Sequence, residues 1–339
     1  MCALEKEGKD LQDGKADHEI LGLRGWKDLE KDGKGTVGLG SEPGKAPSVS
    51  VVIATYNRAR FLPETIGSVL QQRFRDFELI VVDDGSTDET RQVLQSYGDQ
   101  IRFFYQENRG PAAARNMGIL QARGRWVSIQ DSDDLCTPDH LEMLFAFAEK
   151  NPECGMVFAN GAYLGGPEHN RETIIPKQKS RRLAQEGVRL VDLFEKSIVR
   201  LQAALLSKKC LETIGGHDEG LRICMDLDLA FRIFMRHPVA YLDKVVFLYR
   251  KHEGNIGRNQ DLRLLENIRV IEKLVREFPR ARELLGSRRI AQRTAYRYYR
   301  LAKGRWKYGD RKGAGEAIRE AVSLRPLSLK YRLYKLRWV

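Results

Sequence analysis

Three carboxylates stand within four residues in the stretch Asp131-Ser132-Asp133-Asp134. They close a short apolar run, Trp126 to Ile129, that has the composition of a buried strand. Asp131 and Asp133 are one residue apart, so in extended backbone they share a face, and at a strand end the chain can turn both toward one point. Gathering carboxylates in this way is unfavourable unless a cation neutralises them. A divalent ion that prefers oxygen ligands, Mg2+ or Mn2+, meets that need, and such ions commonly bridge substrate phosphates. The competing reading is a solvated acidic turn that caps the next helix. The motif alone does not separate the two.

The elements around this stretch bear on the choice. Val49 to Ala54 reads as a buried strand running into Thr55-Tyr56-Asn57-Arg58. Pro63 suits the first turn of a helix in which Leu62, Ile66, Val69 and Leu70 recur at helical spacing. Phe77 to Val82 is a second apolar strand, ending in Asp83-Asp84-Gly85-Ser86, and Ile101 to Tyr105 is a third. Gly110-Pro111 opens a helix that runs to Gln121, and Trp126 to Gln130 is the fourth strand. Strands alternating with helices imply right-handed crossovers and a mainly parallel sheet. Ligands of such sheets bind outside the carboxyl ends of the strands. Thr55-Tyr56-Asn57, Asp83-Asp84 and Asp131-Ser132-Asp133 would therefore converge on one rim, which solvated loops do not explain. Arg58 on the same rim is placed to reach a phosphate or a carboxylate.

The second half is less regular. Pro138 starts a helix with Leu141, Leu144, Phe145 and Ala148 on one face, and Met156 to Asn160 reads as a strand. Residues 161–186 are weakly patterned and read as a surface or substrate loop. Gly215-Gly216 interrupts the chain before a charged helix from Met225 to Met235, and Val239 to Tyr249 reads as one or two strands. From Asp261 onward the pattern is helical. Residues 1–46 hold too few apolar side chains to offset ordering entropy, so a disordered arm is expected there. No stretch reaches the ~18 apolar residues of a membrane span. No apolar leader is visible either, and the five cysteines show no CxxC spacing, which together point to a cytoplasmic protein with free thiols. Cys136 beside the acidic stretch is expected to be a packed residue, not a redox centre.

The charge is unevenly distributed. From Arg276 to Val339 there are 19 Lys/Arg against 5 Asp/Glu, a balance of +14 in a chain of net charge +12, so the remainder sums to −2. The basic segment could attract any polyanion. Because it lies outside the region with the polar rim, no nucleic-acid partner is expected. Trp306, Tyr334, Leu336 and Trp338 interleave with cations there, which suggests contact with an anionic membrane surface, alongside the bland alternative of a solvated basic bundle. Tyr308-Gly309-Asp310, Ala314, Ala317, Ile318 and Ala321 fit one tetratricopeptide-like hairpin, which must dock on the main domain or on a partner to bury its face.

From Val49 to about Asn255 the chain resembles the family 2 glycosyltransferases. The segments that carry the resemblance are VSVVIATYNRARFLPETIGSVLQQ, DFELIVVDDGSTDET, NRGPAAARNMGILQARGRWVSIQDSDDLCTPDHL, LETIGGHDEGLRICMDLDLAFRI and YRKHEGNI, in the family's order and spacing. The resemblance implies an α/β fold of the nucleotide-diphospho-sugar transferase type, a mainly parallel mixed sheet flanked by helices, here with a C-terminal helical extension. It implies a metal-dependent inverting glycosyltransferase using Mn2+ or Mg2+ and a nucleotide-sugar donor, a UDP-sugar in particular. The acceptor class is a glycan or lipid-linked sugar of polysaccharide or cell-envelope biosynthesis, met at the cytoplasmic membrane face.

By the same resemblance Ala54, Thr55 and Tyr56 hold uracil and ribose, with Tyr56 stacking. Asp84 accepts from the uracil N–H and Asp83 serves the same pocket. Arg115 lies near the nucleotide, with Ser132 in the same site. Asp133 is the direct metal ligand, Asp131 binds ribose or metal, and His252 approaches the metal or diphosphate. Asp226 is the catalytic base, whereas Asp228 is structural. The family's Glu-Asp pair is Met225-Asp226 here, and His217 replaces an aromatic residue after the glycine pair. Both departures bear on acceptor recognition. The expected division is an arm at 1–46, a catalytic domain at 47–258 and a basic helical region at 259–339. The rival readings are a Mg2+-dependent phosphatase built on the DDGS turn, and a non-catalytic adaptor or nucleic-acid-binding protein built on the tail.

Overall fold

Continuous apolar runs, as opposed to alternating ones, are the mark of strands covered on both faces, and the first half of the chain is built of them. The computed structural model describes residues 46–164, 172–195, 197–255 and 259–338. Its first half contains β1 (Val49–Thr55), α1 (Leu62–Leu70), β2 (Phe77–Asp83), α2 (Thr90–Gln95), β3 (Arg102–Tyr105), α3 (Pro111–Gln121) and β4 (Trp126–Asp131). Val52, Ile80, Val82, Val127 and Ile129 pack on one side of the sheet. Val49, Val51, Ile53, Leu79 and Val81 pack on the other. Gly118 lets α3 sit directly on β1, since a Cβ there would collide with Val52 Cγ1.

The chain continues through β5 (Leu135–Cys136), α4 (His140–Glu149), β6 (Met156–Tyr163), α5 (Lys177–Glu186), α6 (Leu190–Glu195), β7 (Ala204–Ser207), α7 (Lys208–Ile214), α8 (Met225–Arg236) and β8 (Val239–Tyr249). The described strands form one eight-stranded sheet in the order β3-β2-β1-β4-β7-β6-β8-β5. Four of its seven pairings are parallel, as expected for a mainly parallel mixed sheet. Val239–Tyr249 is a single strand whose register with β6 slips between Ala159 and Gly161.

Several elements depart from expectation. The segment 161–186 is not simply a loop: β6 runs on to Tyr163 and α5 occupies 177–186. Neither β5 nor β7 is evident in the sequence. Ala204-Leu205-Leu206-Ser207 is a four-residue apolar run, and such a run cannot be assigned to strand or helix by periodicity. It becomes a strand by pairing antiparallel with both β4 and β6.

The C-terminal helices are α9 (Gln260–Glu277), α10 (Pro279–Leu285), α11 (Ser287–Lys307), α12 (Arg311–Leu324) and α13 (Leu329–Trp338). The helical hairpin is present as α11 and α12. Asp310 Oδ1 accepts the Gly313 N–H at 2.8 Å and so caps the second helix. Ala295, Tyr299, Ala302, Ala317, Ile318, Ala321, Tyr331 and Trp338 form its core. Trp306 stacks on Trp338 with ring centroids 5.2 Å apart, and Tyr334 packs on Tyr299. These aromatic side chains are therefore turned inward and are not the membrane-facing set expected of them. The described residues all fall within one compact unit. The expectation for the arm at 1–46 lies, but for Ala46, outside the described residues. No described helix is long and apolar enough to cross a membrane.

Candidate functional site

Strand register builds the rim. Thr55 pairs with Asp83, Asp83 with Tyr105 and Ala54 with Asp131, so the polar ends of β1, β2 and β4 lie side by side. Beyond Thr55 the chain turns through Asn57, whose φ of 51° lies in the left-handed region that Asn tolerates. Asn57 N–H donates to Ser86 Oγ at 2.9 Å and its Oδ1 accepts from Thr87 N–H at 2.8 Å, tying the first rim loop to the second. Tyr56 is left 44% exposed, a flat ring at the edge of the rim.

The two acids after β2 divide their work. Asp84 is engaged by its own surroundings: Oδ1 accepts from Gln106 Nε2 and Arg109 N–H, and Oδ2 accepts from Gly110 N–H. It anchors the loop that leads into α3. Asp83 Oδ1 accepts from Ser86 N–H, whereas its buried Oδ2 has no partner. Thr55 Oγ1, beside it in register, is also buried without a partner. Unmatched buried polar atoms are costly, and a pair of them at a rim is a place for a polar ligand.

At the end of β4 the acidic turn is held from several sides. Thr65 of α1 donates to the carbonyls of Ser132 and Asp134. Arg250 N–H donates to Asp134 Oδ1 at 2.8 Å and Arg250 Nε to the Asp133 carbonyl at 3.0 Å. Asp131, Asp133 and Asp134 each offer a carboxylate oxygen within 4.8 Å of the others. Asp134 is fully buried with Oδ2 unpartnered, so the helix-cap reading fails for it; α4 starts only at His140. Burial, reinforced by the charge of Asp131, raises the Asp134 carboxyl well above its usual range. Burial also raises Asp131, against the opposing pull of Arg115. Three carboxylates this close together, with the buried Asp134 Oδ2 unmatched, fit a divalent cation with oxygen ligands.

His252 and Arg58 both meet Asp133. His252 Nε2 lies 2.9 Å from Asp133 Oδ2, and Arg58 Nε lies 3.4 Å from the same oxygen. His252 Nδ1 accepts from Gly254 N–H at 3.1 Å, which leaves the ring proton on Nε2 to donate to Asp133. In this tautomer His252 orients a carboxylate. Direct metal ligation through Nε2 requires the opposite one. Cys136 is buried, and burial, with Asp134 nearby, pushes its thiol up to about 12, so it is a packed and unreactive thiol.

Arg115 of α3 joins the acidic turn to α8. Its Nη2 donates to Asp131 Oδ1 and its Nη1 to Asp226 Oδ1, each at 2.5 Å. Gln202 Nε2 takes the other Asp131 oxygen. Burial alone would raise Asp226, but the Arg115 charge beside it holds the carboxyl far below its usual range. His217 is buried, its Nε2 stands 3.7 Å from Asp226, and neither ring nitrogen has a hydrogen-bond partner. Burial lowers the His217 pKa and keeps the ring neutral. Asn116, next to Arg115, grips the His217 backbone through Oδ1 at 2.7 Å and Nδ2 at 2.9 Å.

α8 itself is held by α9. Glu266, 3% exposed, accepts the N–H groups of Arg222, Ile223 and Cys224 at 2.8–2.9 Å, directly before the helix that begins at Met225. Those N–H groups precede the first turn, so the carboxylate acts as an external cap. Asp228 pairs with Arg232 at 2.8 Å and with Lys273 of α9 at 3.0 Å, a buried structural pair as expected. Gln202, Asn116, Glu266 and Lys273 carry no spacing signal. They are remote in sequence and come together only through the sheet order.

With this geometry in view, similarity to known proteins is informative. Residues 50–214 match the family described as glycosyl transferase family 2. An uncharacterized glycosyltransferase of Rickettsia typhi is 32% identical over 220 residues, covering 63% of this chain and 68% of that protein. One from Rickettsia conorii is 31% identical over 206 residues, 60% of this chain, which spans only 34% of that relative's length. Among solved structures, S. aureus TarS 1–349 in complex with UDP-GlcNAc aligns with a TM-score of 0.61 at 20% identity, covering 86% of this chain and 88% of that one. The mannosyltransferase PcManGT from Pyrobaculum calidifontis, in complex with GDP-Man and Mn2+, aligns with a TM-score of 0.53 at 19% identity, covering 88% and 86%. These structures share the fold, a mixed sheet flanked by helices. The phosphatase and adaptor readings give way to the relationship that the sequence matches establish: the chain belongs to the family 2 glycosyltransferases.

Proposed function

We propose that the protein transfers a sugar from a UDP-sugar to a hydroxyl of a glycan or lipid-linked acceptor, with inversion at the anomeric carbon and with Mn2+ or Mg2+ bound. The observation that carries this reading is the Arg115 fork, which gathers Asp131 from the rim and Asp226 from α8 around one guanidinium. A donor phosphate site and an acceptor base have to be this close for direct displacement. Tyr56, with the unmatched Thr55 Oγ1 and Asp83 Oδ2, forms the base and ribose end of the donor site, since a uracil N–H needs an acceptor. Asp83 is better suited to that bond than Asp84, whose oxygens are already engaged. Ala54 (in register with Asp131), Ser132 and Arg58 (paired with Asp133) are assigned to the same donor site. Asp133 would be the direct metal ligand, with Asp131, tied to Arg115 and Gln202, serving ribose or metal beside it, Asp134 behind them and His252 steadying Asp133. A bound divalent ion would offset the charge that develops on the leaving diphosphate.

Asp226 takes the proton of the acceptor hydroxyl while that oxygen bonds to the anomeric carbon, and the bond to the diphosphate oxygen breaks on the opposite face. Because Arg115 keeps Asp226 ionised and weakly basic, the proton moves late, once bond formation has made the hydroxyl acidic. The experiment is a panel of UDP- and GDP-sugars assayed with Mn2+ and with EDTA, followed by NMR of the product anomer. Mn2+-dependent turnover of a UDP-sugar with inverted configuration is expected. Turnover that survives EDTA, a preference for GDP-sugars, or retained configuration would contradict the proposal.

A further inference from the structure

α13 has two apolar stripes, and the core uses only one. Tyr331, Tyr334 and Trp338 face inward against Tyr299 and Trp306. Leu329, Leu333 and Leu336, spaced i, i+4, i+7, lie on the other side and are 70%, 57% and 82% exposed, and Leu327 just before the helix is 93% exposed. Four leucines in ten residues stay in water although the helix already has a buried face. The charged residues between and just beyond them are Lys330, Arg332, Lys335 and Arg337, with Arg325 upstream. From Ala321 to Trp338 there is no Asp or Glu.

From this arrangement we infer that the outer face of α13 is a docking surface for an anionic lipid bilayer. Charge complementarity identifies the occupant: a lipid interface offers acyl chains for the leucines and phosphodiesters for the flanking cations at one depth. A protein groove fits less well. Protein hot spots are built on Trp and Tyr, with Leu under-represented, and here the aromatics are committed to the inner stripe. The binding is reversible and salt-sensitive, because a short stripe relies on the surrounding charge. It would hold the enzyme where a lipid-linked acceptor lies, yet it stands on α13 alone and not on the identity of the acceptor.

The test uses the full chain with sedimentable vesicles of phosphatidylcholine alone and of equal phosphatidylcholine and phosphatidylglycerol. The wild type should sediment with the anionic vesicles, weakly with the neutral ones, and less as salt rises. Leu333→Ser with Leu336→Ser, and separately Lys335→Gln with Arg337→Gln, should each lower anionic-vesicle binding about tenfold or more, with melting temperature and donor turnover unchanged. Equal binding by wild type and both double variants would overturn the inference. So would a wild type that ignores both vesicle types, including the case in which the leucine variant instead dissolves a dimer. Absence of donor turnover in the wild type alongside the expected loss of vesicle binding in both double variants would count against the catalytic proposal and leave this one standing.

Discussion

At the scale of single residues, one guanidinium, that of Arg115, is shared by two acids. Arg115 is buried and its charge is the main influence opposing the upward effect of burial on both Asp226 and Asp131. In Arg115→Gln, the Asp226 carboxyl should return upward toward and beyond the usual range. The acidic limb of kcat/KM should then move to higher pH, because more of the base is protonated at a given pH. An unmoved limb with reduced activity would mean that Arg115 serves only in donor binding. His140 supplies a second, independent pH effect. It is buried, with Nδ1 3.0 Å from the Val246 carbonyl, and burial lowers its pKa from 6.5 to about 4. A depressed pKa of this sign gives stability that is present above about 6.5 and lost as pH falls toward 4, on the order of 3 kcal/mol. The pH dependence of melting in that window should flatten in His140→Gln relative to wild type; parallel curves would show that the carboxylates dominate. Asp83, Asp84, Asp131 and Asp133 were legible in the sequence because they close apolar strands, whereas Asp226 was singled out by the family resemblance. Gln202, Asn116 and the bridging role of Arg115 were not legible: Gln202 and Asn116 meet partners 71 and 101 residues away, and Arg115 joins Asp131 to an Asp226 that lies 111 residues away.

At the scale of elements, the site depends on how closely α3 and α8 are held. Gly118 brings α3 onto β1, so Gly118→Ala should force Val52 aside, at a cost of about 1–3 kcal/mol in an unfolding titration, with weaker transfer as Arg115 shifts. Glu266 ties α9 to the start of α8 through three backbone N–H groups. Removing it in Glu266→Ala should destabilise the protein on the order of 3 kcal/mol. It should also lower kcat with donor affinity kept, whereas Glu266→Gln, which keeps one acceptor, should recover part of the loss. Equal damage to donor binding would place the effect elsewhere. The parallel half of the sheet could be read from apolar runs and glycine turns. The half around β7 could not, because its short strands are specified by their neighbours. The two apolar stripes of α13 were likewise invisible as a pattern, since residues of both stripes mingle in sequence and only packing sorts them.

At the scale of the whole molecule, α9 (Gln260–Glu277) belongs with the sheet domain and not with a detachable tail. Glu266 and Lys273 of α9 reach the start of α8 and its Asp228, so we propose that the catalytic unit extends through α9, beyond the expected boundary at residue 258. A chain ending at 258 should fail to give active protein, whereas one ending after Arg325 should retain donor turnover. Activity from the shorter chain would refute this boundary. The whole arrangement serves one claim, that Asp226 is the base of a displacement carried out beside the metal and donor site at Asp131 and Asp133. Its most direct test compares Asp226→Asn with Asp133→Asn for UDP and Mn2+ binding by calorimetry and for transfer by product formation. Asp226→Asn should bind both ligands as the wild type does while transfer falls by ~10²–10⁴; Asp133→Asn should lose Mn2+-dependent binding. Undiminished transfer by Asp226→Asn would contradict the account.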